Sequence, residues 1–191
     1  PADLMENLKI AFDNNVMEMD MIRINGKNSL HLSDLGLNAE LVKNYENGST
    51  RGKLGYALQT FSTLYEMKEP FAAKIFANEK EISVNAQIII IANSQKYGTG
   101  VTVNPYGKMD DGKFEIVIIK NLDLYVFGQI IMGNMPVDSD DVVIISTDKA
   151  TISTEEPIPF QIDGEYIGEE KHLQIDILHK QMKVAVPLSL L

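Results

Sequence analysis

The sequence predicts a mainly β fold with some α: a β-sandwich of antiparallel sheets with attached helices. Three observations lead there. From residue 71 onward, short alternating or apolar runs recur with turn residues at close intervals. Two of these runs, Gln87 to Ala92 and Phe114 to Ile119, are apolar at both odd and even positions, as strands covered on both faces are. Helical periodicity is concentrated in the first third, so helices attach to the sheets.

The elements follow in order. Asp3 is placed to cap a helix whose apolar face is Leu4, Leu8, Ala11 and Phe12, ended by Asn14-Asn15. Met17, Met19 and Met21 then alternate with Glu18 and Asp20, the pattern of a half-buried strand. The phase flips at Ile22, Arg23 and Ile24, which requires a bulge or a change of covering layer near Met21. The methionines read as core filler. Asn25-Gly26 is a hairpin turn, returning through Ser29 to Leu35. Residues 38–46 form a short helix. After the loop 47–52, a longer helix runs from Lys53 to Met67 with Leu54, Leu58, Phe61 and Tyr65 on one face, and Pro70 closes the region.

Phe71 to Ala77 and Glu81 to Asn85 make a hairpin across Asn78-Glu79-Lys80. Leu122 to Met132 is a short helix packed on the sheet. Val142 to Ser146, Lys149 to Ser153 and Ile158 to Ile162 are strands. Leu173, Ile175 and Ile177 alternate with His172, Gln174 and Asp176, and Met182, Val184 and Val186 supply a last strand, stopped by Pro187. Without repeat, low-complexity tract or linker, residues 1–191 read as a single domain.

With 45% hydrophobic and 23% charged residues, the 191-residue chain can build a packed core. A net charge of −10 and a pI near 4.7 repel phosphate backbones, so no nucleic-acid partner is expected. The same charge opposes a broad electrostatic grip on anionic membrane. The absence of cysteine removes disulfides, thiolate nucleophiles and cysteine-ligated zinc, and fits a reducing compartment. The longest aliphatic run, Ile88 to Ile91, is far too short to span a bilayer, and no signal peptide is visible. A start at Pro1 suggests a piece of something longer.

Two stretches could carry chemistry. In Phe160-Gln161-Ile162-Asp163-Gly164-Glu165, two carboxylates flank a glycine between strand-like runs. Asp-Gly is a turn signal, and by itself this is a hairpin corner. In Asn93 to Ile116, a buried strand ends in a polar, glycine-rich loop, and Asp111-Gly112 re-enters a strand. Read structurally, this is a long hairpin connection. Read functionally, Asp111 with nearby backbone carbonyls makes an oxygen-only site for a hard cation such as magnesium, which keeps much of its hydration.

The segments Ile90-Ile91-Ala92-Asn93, Tyr97-Gly98-Thr99-Gly100, Pro105 to Phe114 and Gln161 to Glu165 occur in an order and spacing that resemble the carboxy-terminal domain of the diacylglycerol kinase and sphingosine kinase family, including the bacterial lipid kinases. Residues 35–42, Gly52 to Tyr56 and the closing Leu173 to Pro187 are similar to further blocks of that family, so the resemblance covers nearly the whole chain. It implies a β-sandwich of the NAD kinase/lipid kinase C-terminal type. Its active site would lie in a cleft against an amino-terminal α/β nucleotide-binding domain carrying Gly-Gly-Asp-Gly, a motif this sequence lacks.

Carried over by resemblance, Glu165 is the base that takes the proton from the lipid hydroxyl. Asp111 is the side-chain ligand of a structural magnesium, Lys108 and Lys113 offer backbone carbonyls to the same ion, and Asp163 and Gly164 lie where nucleotide is contacted. Thr99 stands where glycine is common, His31 where asparagine is expected, and Gly107 where alanine is usual. Gly107 would leave the metal loop floppier.

The implied reaction is ATP-dependent phosphorylation of a diacylglycerol-like or sphingoid lipid, with magnesium. ATP is held mainly by the missing domain, so this chain alone is expected to be inactive. The expected partners are lipid and ATP, with transient membrane contact and cytoplasmic residence; an exposed edge strand offers a surface for a homodimer. The alternatives are a non-catalytic lipid- or partner-binding module and a NAD kinase relative. Among the other polar residues, His31, His172 and His179 are scattered without ligand spacing. Arg51 and Lys53 fit a solvated loop better than a phosphate site, Tyr45, Tyr56, Phe61 and Tyr65 fit core better than a lipid groove, and Glu155-Glu156 and Glu169-Glu170 read as solvated charge.

Overall fold

A computed structural model describes residues 3–36, 69–97 and 100–190. The helices expected at 38–46 and 53–67 lie outside the described residues, as do Gly98 and Thr99. In order, the elements are α1 (Leu4–Phe12), β1 (Val16–Ile24), β2 (Lys27–Ser29), β3 (Leu32–Gly36), β4 (Phe71–Ala77), β5 (Lys80–Ala86), β6 (Ile88–Ala92), β7 (Phe114–Ile119), α2 (Leu124–Ile131), β8 (Val142–Thr147), β9 (Lys149–Ile162) and β10 (Glu165–Ala185), then a 3-10 turn (Leu188–Leu190).

The strands form one antiparallel sheet in the order β2-β1-β10-β9-β3-β6-β7-β8, with the β4–β5 hairpin joined at β9. The fork at β9 makes this a sandwich. The first part of β9, Ala150 to Thr154, pairs with Ala73 to Ala77 of β4. Its last part, Phe160 to Ile162, pairs with Ser33 to Leu35 of β3. Beyond Thr154 the two arms diverge and fold over a common core. Ile22, Ile75, Ile152 and Leu173 of one arm meet Leu35, Ile89 and Ile116 of the other, all buried. The outer face of β3, β6, β7 and β8 has its own cover: Ile88, Ile90, Val117 and Val142 pack against Val103 and against Val126 and Ile130 of α2. This is why β6 and β7 are apolar on both parities.

Three strand expectations are corrected. Lys149 to Ser153 and Ile158 to Ile162 are one strand, β9, with Glu155-Glu156-Pro157 inside it. Pro157 belongs to no register pair, because there the strand changes partner, so its missing N–H costs no ladder bond. The runs around Leu173 and Met182 are likewise one strand, β10. The hairpin return from Asn25-Gly26 is only Lys27–Ser29; the chain then leaves β1, and β3 pairs with β6 and β9 instead.

The expected irregularity near Met21 is present. Met19 pairs with Met182 and Met21 with Leu178, so Asp20 alone faces 179–181 of β10. The bulge turns Asp20 inward, where it is 1% exposed, in place of the outward polar position that alternation gave it.

Candidate functional site

Asp163 and Gly164 form the two-residue turn between β9 and β10. Their φ angles of 50° and 91° are both positive, as a turn matched to strand twist requires, and asparagine-like or glycine residues supply them at least cost. The Asp163 carboxylate ties this turn to the segment between β2 and β3. Its Oδ1 accepts from Ser29 Oγ (3.0 Å), the His31 amide (2.9 Å) and the Leu32 amide (3.1 Å), and its Oδ2 from the Leu30 amide (2.7 Å). From below, Gln161 Oε1 accepts from the Gly164 amide at 2.6 Å, while Gln161 Nε2 donates at 2.5 Å to Asp34 Oδ2, which also accepts from Tyr97 Oη at 3.0 Å. Glu165 follows the turn as an exposed residue, and among the described residues its carboxylate has no hydrogen bond or ion pair.

Lys108, Asp111 and Lys113 lie together in the loop before β7. Asp111 Oδ1 accepts from the Lys113 amide at 3.0 Å, a turn continued by Gly112 at φ 75°. Among the described residues the carbonyl oxygens of Lys108 and Lys113 accept no hydrogen bond. Nor do three His, Cys, Asp or Glu side chains converge there or elsewhere among them. The available donors are one carboxylate and two main-chain oxygens, the hard oxygen set that magnesium takes together with water.

Gly107 differs from its expectation. It is buried, and a Cβ there would lie 2.5 Å from Asn104 Nδ2 and 3.0 Å from the Ser94 carbonyl. Asn104 Nδ2 is itself committed, donating to Glu115 Oε2 at 2.8 Å and to Ser94 O at 3.3 Å. Glycine therefore allows close approach, and the loop root is packed instead of floppy.

Sequence reasoning missed Asp20, Asn93 and His179. Asp20 Oδ2 accepts from the Gly112 amide (2.7 Å); its Oδ1 accepts from the Lys180 amide (2.7 Å) and from His179 Nδ1 (2.8 Å). The Asp20 amide donates to Met109 O at 2.7 Å. Buried Asn93 donates through Nδ2 to Asp20 O (2.8 Å) and Leu30 O (2.9 Å). The two stretches that the sequence singled out are thus joined by a continuous run of hydrogen bonds. The signal for Asp20 was the phase flip beside it. His172 stands apart, its Nδ1 meeting Ser153 Oγ at 2.9 Å on an exposed strand pair.

Comparison with known proteins gives concordant results. Residues 34–186 match the family model described as the YegS C-terminal NAD kinase beta sandwich-like domain. The chain is 25% identical over 181 residues to a Salmonella arizonae protein named "Probable lipid kinase YegS", covering 92% of this chain and 59% of that one. It therefore spans about three-fifths of that relative's length. In fold it is similar to a crystal structure of a diacylglycerol kinase from Bacillus anthracis, with TM-score 0.74 and 19% identity over 100% of this chain and 61% of that one. It is also similar to an NAD kinase from Archaeoglobus fulgidus solved in complex with ATP, with TM-score 0.54 and 12% identity over 95% of this chain and 59% of that one.

Proposed function

The chain belongs to the family of YegS C-terminal NAD kinase beta sandwich-like domains, and we propose that it serves, within a longer protein, as the lipid-binding and catalytic half of an ATP-dependent lipid kinase. The acceptor is the hydroxyl of a diacylglycerol-like or sphingoid lipid, which places the reaction in phospholipid metabolism. The observation that carries this reading is Glu165: an exposed carboxylate without an internal partner among the described residues, presented by a turn that four donors and a buried glutamine hold still. A base that must meet a substrate hydroxyl needs that combination of access and fixed aim.

Nucleotide approaches beside it. Nothing lies within 4 Å of where a Gly164 Cβ would be, so a phosphate or ribose can come close to the main chain there. The Asp163 carboxylate is engaged within the fold, so its contribution to ATP is through the backbone and through the aim of the turn. Asp111 and the carbonyl oxygens of Lys108 and Lys113 are the residues that would hold magnesium; bound there, the ion supplies positive charge and local order to the loop. Among the described residues no helix is long and apolar enough to cross a membrane. The reading has the protein meet its lipid by transient contact from the cytoplasm, with a homodimer through an edge strand as a further element.

The test is transfer of radiolabelled phosphate from ATP by the full-length protein, offered a lipid panel and, in parallel, NAD. Lipid phosphorylation that falls about a hundredfold or more in Glu165→Gln is the expected result. A labelled dinucleotide would place the protein with the NAD kinases. Absence of transfer by a folded, ATP-binding protein would leave a non-catalytic binding module. The 191-residue chain alone is expected to show no turnover.

A further inference from the structure

We propose that Asp20 and Asn93 are positioning residues that hold the 108–113 loop and the Asp163-Gly164-Glu165 turn in one fixed relation, so that the cation loop and the base act as a single site. This rests on the functional reading just given. The connection is made of five contacts. The Gly112 amide donates to Asp20 Oδ2, and the Asp20 amide donates back to Met109 O, which clamps the loop against β1 from both sides. The Asp20 carbonyl accepts from Asn93 Nδ2, whose second hydrogen goes to Leu30 O. The Leu30 amide then donates to Asp163 Oδ2, one residue from the turn's glycine and two from Glu165.

Asn93 and Asp20 are 0% and 1% exposed, so these groups find no substitute partners in water. Asparagine at 93 is the side chain this junction needs. Its one amide nitrogen supplies two donors to two carbonyls on different segments, which neither aspartate nor serine can do. The Asn93 amide adds a third tie, to His31 O at 3.0 Å.

His179 is the outer handle. Its side chain is 51% exposed, its Nδ1 lies 2.8 Å from Asp20 Oδ1, and its ring sits 3.2 Å from where a Gly112 Cβ would project. It therefore closes the loop over Asp20, and it can be altered without opening the core.

The experiment perturbs one end and reads the other, as a claim of coupling requires. Hydrogen exchange is followed by mass spectrometry in the full-length protein at peptides covering 109–113, 29–32 and, as a remote reference, 73–77. His179→Ala is expected to speed exchange about tenfold at 109–113 and several-fold at 29–32, with 73–77 unchanged. Combining it with Asn93→Asp is expected to keep the response at 109–113 and remove the additional one at 29–32. A second arm adds manganese(II) as the probe. Its binding is expected to slow exchange at 109–113 and 29–32 in the parent, and only at 109–113 in Asn93→Asp.

Three results overturn the proposal: no change at 109–113 in His179→Ala, a change there with none at 29–32, or an equal rise at 73–77, which would mean general loosening. If manganese has no effect at 109–113 in the parent protein, the cation reading fails, and the His179→Ala arm still decides the positioning role. If Asn93→Asp does not fold, the same arm decides alone.

Discussion

Asp163 has two oxygens and receives four donors, three of them consecutive amides from the segment that leaves β2. Removing such an acceptor strands the amides more than it deletes a contact. Asp163→Ala is expected to lower the unfolding free energy by about 2 kcal/mol in a urea titration, and Asp163→Asn by about half of that. Gly107 makes the opposite case. Substituting alanine would drive a methyl into the amide that holds buried Glu115. Gly107→Ala is thus expected to lower the melting temperature where a loop glycine would raise it. The alternation of β1 read Asp20 as an outward residue, and glycine's conformational freedom read Gly107 as flexible. Both readings were overturned by contacts: for Asp20 with Gly112, 92 positions along the chain, and for Gly107 with Asn104 and Ser94 close by in sequence.

Strands were legible where the apolar pattern was plain. β4 stands where its alternation put it, β6 and β7 where runs apolar on both parities put them, and the bulge in β1 stands beside the flip in phase. What periodicity does not carry is partner choice. Lys149 to Ser153 and Ile158 to Ile162 read as two strands, yet Pro157 between them sits where β9 has no ladder to break. The end of β3 shows the same dependence on partners. Gly36 has φ 102°, and a Cβ on it would lie 2.3 Å from Gln87 O and 2.8 Å from Phe71 Cε1. Gly36→Ala is expected to cost about 3 kcal/mol in chemical denaturation, combining backbone strain with displacement of a neighbouring strand. Gly164→Ala, with open space around it, is expected to cost only about 1 kcal/mol.

At the scale of the molecule, α1 differs from every strand. No residue of it is buried, and Leu4, Met5 and Phe12 are 71%, 72% and 81% exposed. It has a cap, with Asp3 accepting from the Met5 amide, yet none of its side chains is buried against the described residues. Deleting residues 1–13 is therefore expected to leave the thermal midpoint of the 191-residue chain within about 2 °C of the parent, as calorimetry would record. The sandwich class, the covered strands, and the turn and loop that hold the two singled-out stretches were legible in the sequence. Their connection through Asp20 and Asn93 was not, since it depends on which strands become neighbours.

The pairing of β1 with β10 joins Val16 to Ala185, and the contact from Asp34 to Gln161 spans 127 residues. A ribosome delivers β1 and β3 long before the strands that complete their ladders. Until β9 and β10 emerge, the nascent chain holds apolar strands with open edges, so its sheet closes only after β10 has been made. Loop-closure entropy then makes that closure slow for a chain of this size. In the cell this interval is the one in which the chain has most need of a chaperone.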